Sequence, residues 1–149
     1  GGAYPVSAVL ANDHIMNVIQ PGQHGSTFGG NPVAAAVAMA ALEVVSEEKL
    51  AQNARTLGKI FRDELSVFIA SSQVASLVRG KGLLNAVVIN DSEESDTAWN
   101  ICMRLAEKGL LAKPTHGNII RFAPPLVITE EQVRTCVAII IDTLKEFEK

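Results

Sequence analysis

What this sequence has little of narrows its function first. Aromatic residues make up 5% of its 149 positions, cysteine occurs twice, and 16 acidic against 13 basic residues leave a net charge of −3. Mild acidity, with no basic run carrying interleaved aromatics, argues against nucleic acid as a partner. No apolar run approaches the length that crosses a bilayer and no signal-peptide pattern opens the chain, so no membrane is expected. Cys102 and Cys136 lie far apart in segments that read as helices, which points to buried thiols in a reducing compartment and not to a disulfide framework. No His, Cys or carboxylate cluster stands at metal-ligand spacing, so no metal is expected. With 48% hydrophobic and 19% charged residues, the composition is not that of a disordered chain. It reads as a soluble intracellular protein, long enough for one core or for one small domain plus part of a neighbour.

The order of elements predicts a mixed α/β and α+β architecture. Residues 6–10 read as a buried strand and Asp13 to about Ile19 as a short helix. A polar, glycine-rich loop runs from Pro21 to Gly30. Asn31 then supplies an N-cap and Pro32 the first helical position, where its missing N–H costs nothing. Val33 to Val45 is helix with mostly small side chains. Ser46, followed by Glu47 and Glu48, reads as a second N-cap with acid in the first turn. Leu50, Ala54, Leu57, Phe61, Leu65 and Phe68 then recur at helical spacing. Beyond Ser72 the texture changes: Val74–Val78 and Leu83–Ile89 read as strands around the turn Arg79-Gly80-Lys81-Gly82. A helix from about Thr97 to Lys108 ends at Gly109. Leu110–Lys113 and Asn118–Phe122 read as short strands, and the capping box Thr129-Glu130-Glu131-Gln132 opens a final helix. The expected organisation is residues 1–45 as the tail of an α/β domain, 46–72 as a connecting helix, and 73–149 as an α+β unit. A start in the approach to a buried strand reads as part of a larger protein.

The motif with most chemistry is His24-Gly25-Ser26-Thr27-Phe28-Gly29-Gly30-Asn31-Pro32. Three glycines, two hydroxyls and a helix start bring donors close to an anion without obstruction. No Gly-Lys-Ser/Thr follows, so it is no Walker loop. From spacing alone, Ser26 and Thr27 touch a phosphate or make local turn hydrogen bonds. His24 reads as a loop histidine, His14 as a solvated one and His116 as a turn residue. Glu47-Glu48 is a helix start, not a paired-carboxylate site. Arg121 stands apart, a charge near the end of the apolar strand Ile119-Ile120-Arg121-Phe122 before Pro124-Pro125. It calls for a structural salt bridge or for a carboxylate ligand that suits its fork.

Several longer runs are particular. Gly1 to Val9, His24 to Pro32, Val78 to Ala86, Gly109 to Gly117, and Ile120-Arg121-Phe122-Ala123-Pro124-Pro125-Leu126 together resemble the ornithine aminotransferases, within the fold-type-I pyridoxal-phosphate ω-aminotransferases. The likeness covers essentially the whole chain. It implies the C-terminal part of a fold-type-I pyridoxal 5'-phosphate (PLP)-dependent transferase, the end of the large domain plus the small domain. Ser26 and Thr27 would bind the cofactor phosphate of the partner subunit across a homodimer interface. Arg121 would pair with a substrate carboxylate, above all that of glutamate formed from 2-oxoglutarate; Tyr4 would be a second substrate-binding residue, and Tyr4 and Pro5 would shape the cofactor wall. The reaction implied moves the δ-amino group of ornithine to 2-oxoglutarate, in the mitochondrial matrix or cytoplasm. The family's Schiff-base lysine would stand a few residues before Gly1, so none of the chain's own residues is expected to be catalytic and the chain alone is expected to be inactive. Rival readings are an acetylornithine or 4-aminobutyrate aminotransferase, or a non-catalytic α+β interaction module.

Overall fold

Alternation of apolar and polar side chains in the second half of the chain decides which face of a sheet is sealed and which is left bare. The computed structural model describes residues 2–148, and the chain divides into two compact units at Lys49/Leu50.

In chain order the elements are α1 Asp13–Met16, α2 Pro32–Glu47, α3 Leu50–Ile69, β1 Ala75–Lys81, β2 Leu84–Ile89, α4 Thr97–Glu107, β3 Lys113–Thr115, β4 Ile119–Phe122 and α5 Glu130–Lys145, and the second unit begins with α3. The four strands form one antiparallel sheet in the order β1-β2-β4-β3. Val87, Ile89, Ile120 and Phe122 point to one side, where they meet Leu57, Phe61 and Leu65 of α3, Ile101 and Leu105 of α4, and Val133, Val137, Ile140 and Leu144 of α5. The Phe61 and Phe122 rings lie 5.7 Å apart in a tilted arrangement, a favoured aromatic geometry. The helix expected over 46–72 as a connection is thus a layer of this unit: α3 packs on β1 and on α5.

Helix α3 meets the β1–β2 hairpin through its backbone. Gly58 sits so close to Gly82 that an added Cβ would run into the Gly82 carbonyl. One turn further on, Arg62 donates from Nη1 to the Gly82 carbonyl (2.9 Å) and to Asn85 Oδ1 (2.6 Å). Asn85 is almost wholly buried, and its Nδ2 donates to the same carbonyl at 3.3 Å. A buried amide is tolerated because it is satisfied on both sides. The hairpin turn lies two residues later than expected: Gly80 is within β1, and Lys81 pairs with Leu84 around Gly82 (φ +57°) and Leu83.

Other boundaries also moved. Residues 6–10, expected as a strand, are irregular, with Val9 and Leu10 exposed. A strand needs a neighbour for its backbone groups, and none pairs with this run among the described residues. Ser46 is no N-cap but lies in the last turn of α2, which continues to Glu47 before Lys49 takes a left-handed φ of +52°. Leu110 is no strand residue either. Its N–H returns to the Leu105 carbonyl while Gly109 (φ +86°) donates to Ala106, so both close the end of α4 as a Schellman motif. The Asn31 cap, the Pro32 start and the capping box from Thr129 to Gln132 are present as read. Both thiols are free; burial pushes Cys102 up to about 11 and raises Cys136 as well.

Two outcomes follow from this packing. Alanine is the better helix former, yet Gly58→Ala should lower the urea midpoint, by about 1–3 kcal/mol of stability, because overpacking outweighs propensity. Glu146 joins α5 to α4: side-chain hydrogen bonds from Arg104, then Lys108, hold its carboxyl at about 2, below the ordinary 4.5. That contribution is complete above the ordinary value and is lost as pH falls toward the depressed one. Glu146→Gln should therefore flatten the loss of stability between about pH 5 and about pH 2 in urea titrations.

Candidate functional site

In the first unit, the loop before α2 is tied by its own amides while two of its hydroxyls stay unspent among the described residues. Asn31 Oδ1 accepts from the Ala34 N–H at 2.8 Å, while its Nδ2 donates to the Phe28 carbonyl at 3.0 Å, fixing loop to helix. The Gly29 N–H donates to the Ser26 carbonyl at 3.2 Å. The side-chain hydroxyls of Ser26 and Thr27 make no hydrogen bond among the described residues, so the local-turn alternative for them is absent. Nothing stands within 4 Å of a Cβ built at Gly25 or Gly30. The loop lines an open concavity with Ser26, His24, Gly29 and Gly30 on one side and Pro5, Val6 and Ser7 on the other. Thr27 neighbours Ser26 in the chain without lining it; Tyr4 neighbours Pro5 in the same way, about half exposed. His24 lies exposed at the rim.

This donor set fits a phosphate. Two free hydroxyls stand beside the N-terminus of the 16-residue helix α2, whose partial positive charge favours an anion. Lys49 is the single lysine of residues 1–49. It lies past the other end of α2, about 24 Å from the loop by helical rise.

In the second unit, Arg121 lies on the sheet face opposite the one packed against α3, α4 and α5. Strand register places Arg79 opposite Ala86, Ala86 opposite Arg121, and Arg121 opposite Lys113. All three cations are exposed. None has an ion pair or hydrogen bond from its side chain among the described residues, so the salt bridge weighed for Arg121 is not formed among them. Like charges directly across a strand pair are unfavourable, and Arg121 and Lys113 accept that cost with no carboxylate to offset it. A shallow pocket lies here, lined by Arg79, Lys81, Ala86, Thr115, His116 and Arg121. His116 reaches it from the β3–β4 turn with φ of +50°. Sequence reasoning singled out Arg121 alone. The period-two spacing of Arg79 and Lys81 was legible, but the register that sets Arg79 and Lys113 beside Arg121 was not.

Comparison with known proteins gives this geometry its family. The family described as Aminotransferase class-III matches residues 1–144. The chain belongs to the class-III aminotransferases. It is 61% identical over 144 residues to a Drosophila melanogaster protein named "Ornithine aminotransferase, mitochondrial", covering 97% of this chain and 32% of that one. A Rattus norvegicus protein of the same name is 57% identical, covering 99% and 33%. Among solved structures, an acetylornithine aminotransferase from Elizabethkingia anophelis superposes with a TM-score of 0.92 at 66% identity, over 98% of this chain and 36% of that one. The ornithine delta-aminotransferase of Plasmodium falciparum gives 0.91 at 46%, over 98% and 37%. The chain spans about a third of the length of the curated relatives it matches.

Since the exposed Arg121 side chain makes no ion pair or hydrogen bond among the described residues, Arg121→Gln should leave stability within about 0.5 kcal/mol of the parent chain in urea denaturation. A loss well beyond that would restore a structural role to the guanidinium.

Proposed function

We propose that this chain is the C-terminal third of an ornithine δ-aminotransferase that moves the δ-amino group of L-ornithine to 2-oxoglutarate, giving glutamate-5-semialdehyde and glutamate. The observation that carries this reading is Arg121: an exposed guanidinium beside Lys113, without a carboxylate of its own. A substrate carboxylate supplies the missing partner through a bidentate pair. The names of the relatives in fly and rat support the substrate.

Ser26 and Thr27 hold the phosphate of PLP, by hydroxyl donation and by the helix end behind them. Each loop serves the cofactor of the other subunit in a homodimer, while Tyr4 and Pro5 shape the substrate side. PLP, when bound, supplies the electron sink for the transfer. This chain's part is to hold the phosphate and to orient the substrate. The lysine that anchors the cofactor comes from the rest of the protein, as the resemblance to the family implies. The mitochondrial matrix is the favoured location, following the relatives' names, with the cytoplasm as the alternative.

A second reading has its own support, the acetylornithine aminotransferase structure at 66% identity. Both amines carry an α-carboxylate, so Arg121 does not separate them. Assay of the complete protein does: kcat/KM for ornithine is expected to exceed that for N-acetylornithine by at least about tenfold, and the reverse order moves the assignment. In the complete enzyme, Arg121→Gln should raise the KM for 2-oxoglutarate on the order of 10-fold to 100-fold, as expected for a lost charge-assisted hydrogen bond. Ser26→Ala with Thr27→Val should weaken cofactor affinity by about tenfold or more on the same grounds. The 149-residue chain alone should show neither transamination nor a cofactor absorbance band; either would refute the assignment of the anchoring lysine elsewhere.

A further inference from the structure

Behind β4, on the side away from Arg121, the core of the second unit does not close. A cavity of about 320 Å³ lies between α3, the residues that follow α4, the return from β4 to α5, and α5 itself. Phe61, Leu110, Phe122, Ile128, Val133 and Ile140 wall it, all of them buried, and no charged side chain lines it among the described residues. Protein cores leave few voids larger than a water molecule, so this one needs a cause. Gly109, Ala123 and Cys136 bring little side-chain volume to it. Pro124 and Pro125 stiffen the return, since their φ is fixed, and the Ile128 N–H closes a turn on the Pro125 carbonyl at 3.0 Å. From α3, Asn53 Nδ2 donates to the Leu126 carbonyl at 2.7 Å and to the Ile128 carbonyl at 3.1 Å. Held in this way, the return does not sink into the space it borders.

We propose that this cavity is a preformed site for a small, uncharged, fused-ring aromatic molecule. An apolar cavity of about 150 Å³ stays dry and admits a single benzene ring; the larger volume here takes a second ring. Walls without charge disfavour an ionised ligand, which would give up its hydration for no partner. Phe61 and Phe122, with centroids 5.7 Å apart and planes inclined at 51°, present an aromatic wall on which a flat ring gains offset or edge contact. Leu111 and Pro125, exposed at the mouth, carry the apolar surface outward. The site stands apart from the carboxylate and phosphate readings: Phe122 faces it, while Arg121 before it in the strand faces the other way.

Methyl NMR tests this, with indole as the uncharged probe and indole-3-carboxylate as the same ring system carrying a charge. In the 149-residue chain, indole should shift the methyls of Ile128, Val133 and Ile140 saturably, with half-saturation at about 1 mM. The methyls of Leu65 and Ile89, buried in the core away from the cavity, should remain where they are. Indole-3-carboxylate should move none of them. Cys136→Met, which fills space and keeps the wall apolar, should weaken indole binding several-fold. Ala123→Leu, at an exposed position of the mouth, should do the same and decides the matter if the first variant does not fold. Shifts that do not saturate, equal shifts at Leu65 and Ile89, an equal response to the carboxylate, or unchanged affinity in the folded variants overturns the proposal. The complete protein should show the same indole response. A response confined to the isolated chain means that another segment of the protein fills the cavity, and it overturns the small-molecule site.

Discussion

The close approach of α3 to the β1–β2 hairpin is the contact on which the rest of the second unit depends. Glycine at 58 lets a helix backbone rest on the Gly82 carbonyl, and Arg62 with Asn85 fills the hydrogen-bonding capacity left around it. That arrangement fixes where the hairpin turns. Because strand side chains alternate, a slip of one residue would carry every side chain of β1 to the other face. Val78 would leave the core side and Arg79 would enter it. Through the pairing of β2 with β4, the same register decides that Arg121 stands in the open and Ile120 and Phe122 do not.

The two candidate sites use opposite means to the same end. On the proposed reading, an anion in the first unit would be met by uncharged donors, two hydroxyls and a helix end, held by the hydrogen bonds of Asn31. In the second it would be met by guanidinium and ammonium groups on a sheet face. The first means suits a group that stays bound, since fixed short donors lose little entropy. The second suits a ligand that comes and goes, because long exposed side chains gain only modest, screened attraction. A cofactor phosphate and an exchanging carboxylate substrate match that division.

Much of the fold was legible because local rules agree with it. Asn31 and Pro32 announce α2, Thr129 to Gln132 announce α5, Gly109 ends α4, and the apolar stripe from Leu50 to Phe68 marks α3. The readings that moved are those where local and tertiary preferences part. Ser46 has the chemistry of a cap, yet the helix formers around it let α2 run on until Lys49 turned left-handed. Leu110 has the character of a strand residue, yet Gly109 recruits its N–H to close a helix. Residues 6–10 carry a strand's composition, but composition supplies no partner for backbone hydrogen bonds.

The sequence by itself determined the family, the glycine loop and the identity of Arg121 as a charge out of place in an apolar strand. Those are properties of residue type and spacing along one chain. Only the tertiary structure decided that, among the described residues, Ser26 and Thr27 keep their hydroxyls unpaired and Arg121 has no salt bridge, and that Arg79 and Lys113 share its row. Strand register is set by how α3 packs on the hairpin and how β4 adds beside β2. Partners drawn from 42 positions away, as Arg79 is from Arg121, become neighbours through that packing and not through any local pattern.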